Sequence, residues 1–151
     1  MKKSLIIISF LLLAFNVDAQ ANKNHNNLKQ QKNMKNMNNT TILHTANAFV
    51  LKGDYESFLT YCTSDTKWVF VGERILHGKE EVRAYMKEFY IEPPVFDVEL
   101  TIEDGDFVTV SGNIRLKNKT GNYEHFNYCD IWRFEDGKIA ELKAFVIERK
   151  P

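Results

Sequence analysis

Asp130 stands in the run Phe126-Asn127-Tyr128-Cys129-Asp130-Ile131-Trp132-Arg133-Phe134, where every second residue apart from the acid is aromatic. Alternate side chains of a β-strand share a face, so Phe126, Tyr128, Asp130, Trp132 and Phe134 point one way and His125, Asn127, Cys129, Ile131 and Arg133 the other. An acid set among aromatic rings loses hydration of its charged form, and its pKa rises. Such a carboxyl can anchor a ligand carbonyl or hydroxyl, or act as a general acid. The alternative is an architectural acid, bonded to Tyr128 or to a side chain of the first helix. The same parity in the next strand groups Ala140, Leu142, Ala144 and Val146 as an apolar floor beside it.

Trp68, Phe70, Tyr85, Phe89, Tyr128, Trp132 and Val146 are the candidate lining around Asp130. An aromatic lining suits a flat or apolar small molecule. For Tyr85 and Phe89, at helical spacing, ordinary core packing is the simpler account. His25, His44, His77 and His125 lack metal-ligand spacing and neither cysteine belongs to a Cys-x-x-Cys pair, so no metal site is expected. His77 has two readings, one at the pocket and one on a surface hairpin. There is no Gly-x-Ser-x-Gly elbow, phosphate-binding loop or dinucleotide fingerprint, and no cofactor is expected. Asn39-Thr40-Thr41 and Asn118-Lys119-Thr120 fit the glycosylation pattern, which is short and common by chance.

Two β-strands, Asn122–Glu135 and Lys138–Arg149, joined at Asp136-Gly137, must carry the acid and the floor. Upstream, a helix capped by Asn39 or Thr40 begins near Thr41, is striped by Ile42, Ala46, Phe49 and Val50, and stops at Gly53. Asp54 caps a short second helix with Tyr55, Phe58, Leu59 and Cys62 on one stripe, ending at the polar turn Thr63-Ser64-Asp65. Lys67–Val71 and Arg74–His77 read as an edge hairpin. Gly78 opens a third helix, Lys79–Tyr90, striped by Val82, Tyr85, Met86 and Phe89 and ended before Pro93-Pro94. Phe96, Val98, Leu100 and Ile102 then alternate with Asp97, Glu99, Thr101 and Glu103, and Phe107–Lys117 returns as the next strand. The last four strands predict an antiparallel meander. The fold class is α+β, with three N-terminal helices packed on one face of a curved antiparallel sheet.

Lys2 and Lys3, the apolar run Leu5–Phe15 and the ending Val17-Asp18-Ala19 predict an export signal over residues 1–19, with Ala21 as the alternative cleavage point. The run is too short to span a membrane, so no stable membrane anchor is expected after cleavage, in a periplasmic or secreted location. Residues 20–39, dominated by Asn, Lys and Gln, predict a disordered linker, and 40–151 one domain. Without residues 1–20 the chain loses Lys2, Lys3 and Asp18, leaving 18 basic against 19 acidic residues. A net charge of −1 gives nucleic-acid binding no support. Cys62 and Cys129 are expected on divergent faces as free thiols, with a disulfide as the alternative. Ile131, Arg133, Glu141, Lys143, Phe145 and Ile147 mix charge with apolar area on the outer sheet face, as a homodimer contact would.

The order of elements, the Gly53-Asp54 break, the run Ile75-Leu76-His77-Gly78-Lys79-Glu80-Glu81-Val82 and the ending Trp132-Arg133-Phe134-Glu135-Asp136-Gly137-Lys138-Ile139 resemble the SnoaL-like branch of the nuclear transport factor 2-like superfamily. The resemblance covers essentially Thr40–Glu148. It implies a cone-shaped fold with a bent sheet wrapped around helices, commonly dimeric. Ketosteroid isomerases, polyketide cyclases, hydrolases, dehydratases and non-catalytic binding modules share that fold. Asp130 matches the isomerase acid that stays protonated and donates to a developing oxyanion. The isomerase general base falls on Phe70 and the oxyanion-hole tyrosine on Ala46, neither of which moves a proton. The expectation is therefore a small-molecule-binding protein, with an isomerase, cyclase or dehydratase using Asp130, or a non-catalytic dimeric interaction module, as alternatives.

Overall fold

The computed structural model describes residues 37–149; the expected export signal and nearly all of the expected linker lie outside them. Helix α1 spans Asn39–Val50, α2 Tyr55–Leu59 and α3 Gly78–Phe89. The strands are β1 Cys62–Phe70, β2 Arg74–His77, β3 Val95–Asp104, β4 Phe107–Lys117, β5 Tyr123–Glu135 and β6 Lys138–Glu148. They form one curved, unclosed sheet in the order β2-β1-β6-β5-β4-β3. The α+β class of three helices and a curved sheet holds.

Asn38, rather than Asn39 or Thr40, caps α1, its side chain accepting the Thr41 N–H at 2.9 Å. The Thr40 N–H and the Asn39 N–H both donate to the Glu103 carboxylate, at 3.0 and 3.1 Å. Residues 37–39, assigned by composition to the linker, are therefore tied to the folded unit. Asp54 caps α2 as expected, accepting the Ser57 N–H at 3.0 Å.

Cys62 belongs to a strand, not to the second helix. Phe58 and Leu59 complete the buried face of a single turn, and the backbone of Cys62 pairs with Ile139. The expected turn Thr63-Ser64-Asp65 lies inside β1, where the register breaks between Cys62 and Lys67. β1 and β2 form the expected hairpin at the edge of the sheet, with Phe70 across from Arg74, but β1 starts earlier, at Cys62, and its other side runs parallel to β6, so the first long strand joins the last. The other strand pairs are antiparallel.

Strand β3 also departs from simple alternation. Its register shifts between Val98 and Leu100, an extra residue that reverses which face the following side chains take. Phe96 and Val98 share the inner face with Ile114 and Gly112, whereas Leu100 and Ile102 pair with Ser111 and Thr109 on the outer face. A second shift, between Arg133 and Phe134, leaves consecutive Ile139 and Ala140 both buried. The β5–β6 turn is the expected one, with Asp136 at φ 50° and Gly137 at φ 73°. Cys62 and Cys129 are both free.

Candidate functional site

Sheet register seats Asp130. Across the inner face, Phe70 pairs with Ala144, Ala144 with Asp130, and Asp130 with Val110. The row on one side reads Trp68, Leu142, Trp132 and Val108, and the row on the other Val146, Tyr128 and Gly112. The acid therefore has only apolar neighbours directly across from it. Above these rows lies a cavity of about 220 Å3. Its floor is this sheet face and its roof comes from Leu43 and Asn47 of α1, Leu51 just past the end of α1, Phe58 of α2 and Met86 of α3.

Trp68, Phe70, Tyr128, Asp130, Trp132 and Val146 all line the cavity. Trp68 meets Trp132 edge-on, with ring centroids 6.0 Å apart and planes at 90°, and Phe58 at 5.8 Å. Tyr128 packs edge-on against Phe96 at 5.8 Å. The indole N–H of Trp68 is buried and finds no acceptor among the described residues.

Tyr85 and Phe89 are not part of the lining. Both point from α3 behind the wall: Tyr85 lies 4.7 Å from Phe70 and 4.7 Å from Phe89, and the Arg74 guanidinium covers Phe89 at 4.6 Å. This column holds Phe70 in place from outside, and the packing account of the two residues applies. Ala140 also leaves the expected floor, displaced by the register shift beside Phe134, while Leu142, Ala144 and Val146 remain. His77 sits exposed at the start of α3, away from the cavity.

The carboxyl of Asp130 receives no hydrogen bond and no ion pair from any described residue. Its half-buried surface opens onto the cavity, not onto a hydrogen-bonded network. Burial alone pushes its pKa up from 3.8 to about 7. Its charge is in turn felt by three phenols. Burial first, then Asp130, raises Tyr128 to about 12; burial first, with Asp130 a lesser cause, raises Tyr85 to about 12 and Tyr90 well above 10.0.

Three polar lining residues escaped the sequence reading: His44 and Asn47 on α1, and Tyr90 just past α3. His44, Asn47, Ala48 and Leu51 form an i, i+3, i+4, i+7 stripe of their own. The signal was Leu43 and Leu51, two large apolar residues that the stripe through Ile42, Ala46, Phe49 and Val50 leaves out. Position 46 is fully buried, outside the lining, and position 70 presents a phenyl ring to it. Asp130 can thus donate or accept one hydrogen bond in an apolar, aromatic enclosure, with an imidazole, an amide and two phenols as the other polar groups of the wall. Among the described residues, no three His, Cys, Asp or Glu side chains gather as a metal site would need.

No curated protein matches the chain in sequence. Solved structures share its fold. An NTF2-like protein of unknown function from Burkholderia pseudomallei superposes with a TM-score of 0.64 at 20% identity, over 72% of this chain and 89% of that one. The epoxide hydrolase/cyclase-like enzyme SalBIII, of pyran ring formation in the polyether salinomycin, gives 0.66 at 18% identity, over 72% and 89%. TerC, co-crystallised with polyporic acid, gives 0.63 at 18% identity, over 71% and 89%. At these identities the likeness is one of fold. The family profile of the SnoaL-like domain matches residues 44–142, which run from His44 at the cavity wall to Leu142 on its floor, and by that match the chain belongs to the SnoaL-like family.

Proposed function

We propose that this protein binds a small, flat, largely apolar molecule in the cavity and that Asp130 hydrogen-bonds the carbonyl or hydroxyl of that molecule. The observation that carries the reading is the unpartnered carboxyl, raised by burial to about 7 and open to the cavity. A buried polar group without a partner is costly, and a ligand that supplies the partner recovers that cost on binding. The cavity of about 220 Å3 exceeds the roughly 150 Å3 apolar cavity known to hold benzene. A ligand of one or two fused rings suits it. The proposed protein is exported, given Lys2, Lys3 and the run Leu5–Phe15, and works as a homodimer through the outer sheet face.

A second reading is favoured by one observation: an acid held near neutrality shares its cavity with the imidazole of His44. An isomerase, cyclase or dehydratase with Asp130 as acid would use that pair. SalBIII, a cyclase-like enzyme on the same fold, makes such chemistry compatible with the scaffold.

A thermal-shift screen of the whole chain against small aromatic and alicyclic carbonyl and hydroxyl compounds tests both, because a ligand bound only by the folded state raises its melting temperature. Hits whose shift shrinks in Asp130→Asn support the binding reading. Turnover of a hit that collapses in the same variant, while its binding persists, supports the second. A broad library without a single shift overturns both.

A further inference from the structure

On the opposite face of the sheet, the ends of β3, β4 and β5 and the residue after β6 enclose a second, more open concavity of about 270 Å3. Its polar walls are Asp97, Asn113, Arg115, His125 and Arg149. Arg115 stands directly across from His125 in the β4–β5 pair, and Asn113 directly across from Asp97 in the β3–β4 pair. The Arg149 N–H donates to the His125 carbonyl at 2.8 Å, which brings the third basic side chain to the same end of the sheet.

The arginines of this chain divide sharply. Arg74 pairs with Glu73, Arg83 with Glu56 and Glu80, and Arg133 with Glu135 and Glu141. The remaining two, Arg115 and Arg149, make no ion pair with any described residue, and both face this one groove. Two basic side chains directly opposite across strands gain nothing from each other. Both guanidinium groups are nevertheless held. Arg115 lies 4.6 Å over the Tyr123 ring, and Arg149 Nη1 donates at 3.3 Å to Asn113 Oδ1, whose Nδ2 donates at 2.7 Å to Glu99 Oε1. Stacking and a single hydrogen bond leave most of the five donors of each guanidinium unspent.

We infer that this groove is a binding site for the oxyanion group of a small molecule, a carboxylate or a phosphate, held between Arg115 and Arg149 with His125 as a further donor. Planar forks of N–H donors match both oxyanions bidentately. Asp97 on the same wall offers an acceptor to a hydroxyl or amine carried beside the anionic group. The site is independent of the cavity on the inner face and of whatever Asp130 binds.

The test is an NMR titration of the 15N-labelled whole chain with inorganic phosphate, acetate and glycolate in turn, at ionic strength held constant with chloride. At least one of the three is expected to give saturable shifts at Asn113–Arg115, His125 and Arg149. Saturation by phosphate alone assigns a phosphate ligand, and saturation by the carboxylates, with glycolate the tighter, assigns a hydroxy acid. Arg115→Gln and Arg149→Gln should each weaken binding by about tenfold or more, whereas Lys87→Gln on α3 should not change it. Both arginines are exposed, and the unshifted remainder of the spectrum reports that each variant stays folded. Shifts that rise linearly without saturating, that spread over every basic surface, or that persist in both glutamine variants overturn the inference.

Discussion

Asp130 couples the cavity to pH. Its carboxyl titrates at about 7 in the folded chain against an ordinary 3.8, so between those values the folded state holds a proton that the unfolded state has released. Stability is therefore fullest at the acid end of that window, falls as pH rises through it, and is lowest above about 7. A carboxyl so displaced changes stability by on the order of 4 kcal/mol across the window. Asp130→Asn removes the titration and keeps the shape. Urea unfolding of both chains from about pH 5 to about pH 8 should show the variant losing less stability on the way up and overtaking the wild type at the alkaline end. Parallel curves would mean that Asp130 is hydrated and carries an ordinary carboxyl. At this scale the sequence was informative where a strand's own parity decided the outcome, as for Tyr128, Asp130 and Trp132. It was silent on Asn47 and Tyr90, whose facing depends on how α1 rolls and where α3 stops.

Among the elements, β3 decides the shape of the site, since its extra residue between Val98 and Leu100 turns Phe96 and Val98 toward the cavity and sends Leu100 and Ile102 outward. Gly112, opposite that irregularity, is what admits it: a Cβ there would collide with the Asp97 carbonyl oxygen, a backbone atom that cannot swing away. Gly112→Ala should accordingly cost on the order of 3 kcal/mol in urea unfolding, while Ser111→Ala next to it stays within about 0.5 kcal/mol. A Gly112→Ala chain as stable as the wild type would show that β3 can move aside at no cost. The same strand marks the limit of sequence reading. Helix caps and the Asp136-Gly137 turn are local chemistry, and α2, β2, β4 and the last hairpin lie at or within a few residues of where their patterns put them. The insertion in β3 and the parallel join of β1 to β6 are settled by partner strands distant in sequence, and no periodicity within either strand announces them.

For the molecule as a whole, the reversal in β3 has a consequence on the outer face. Leu100 and Ile102 are 50% and 52% exposed, Phe145 39% and Ile147 67%, and sheet register places them in adjoining rows with Ile131 and Cys129 between. Among the described residues no helix covers them, because the described helices roof the inner face. Charges of both signs surround the patch, with Arg133 beside Glu141 at 3.6 Å and Lys143 and Asp97 nearby. A surface that carries both signs can meet its own two-fold image with each charge against its opposite, so the proposed occupant is a second copy of this chain. Light scattering of the whole chain should then report a dimer, and Leu100→Glu or Phe145→Glu should shift it to monomer, since each would place a carboxylate and its image in a desolvated contact. Both positions are exposed, so the circular dichroism of the monomeric variants should match the parent. A wild type that remains monomeric at high concentration, or variants that dimerise as the parent does, would reject this face as the contact. If the dimer forms, the Asn113 and Asp97 walls of the groove share a row with Ile147 and Asn127 at the rim of the buried area, and Arg115, His125 and Arg149 lie one row further toward the end of the sheet, where an anion still reaches them.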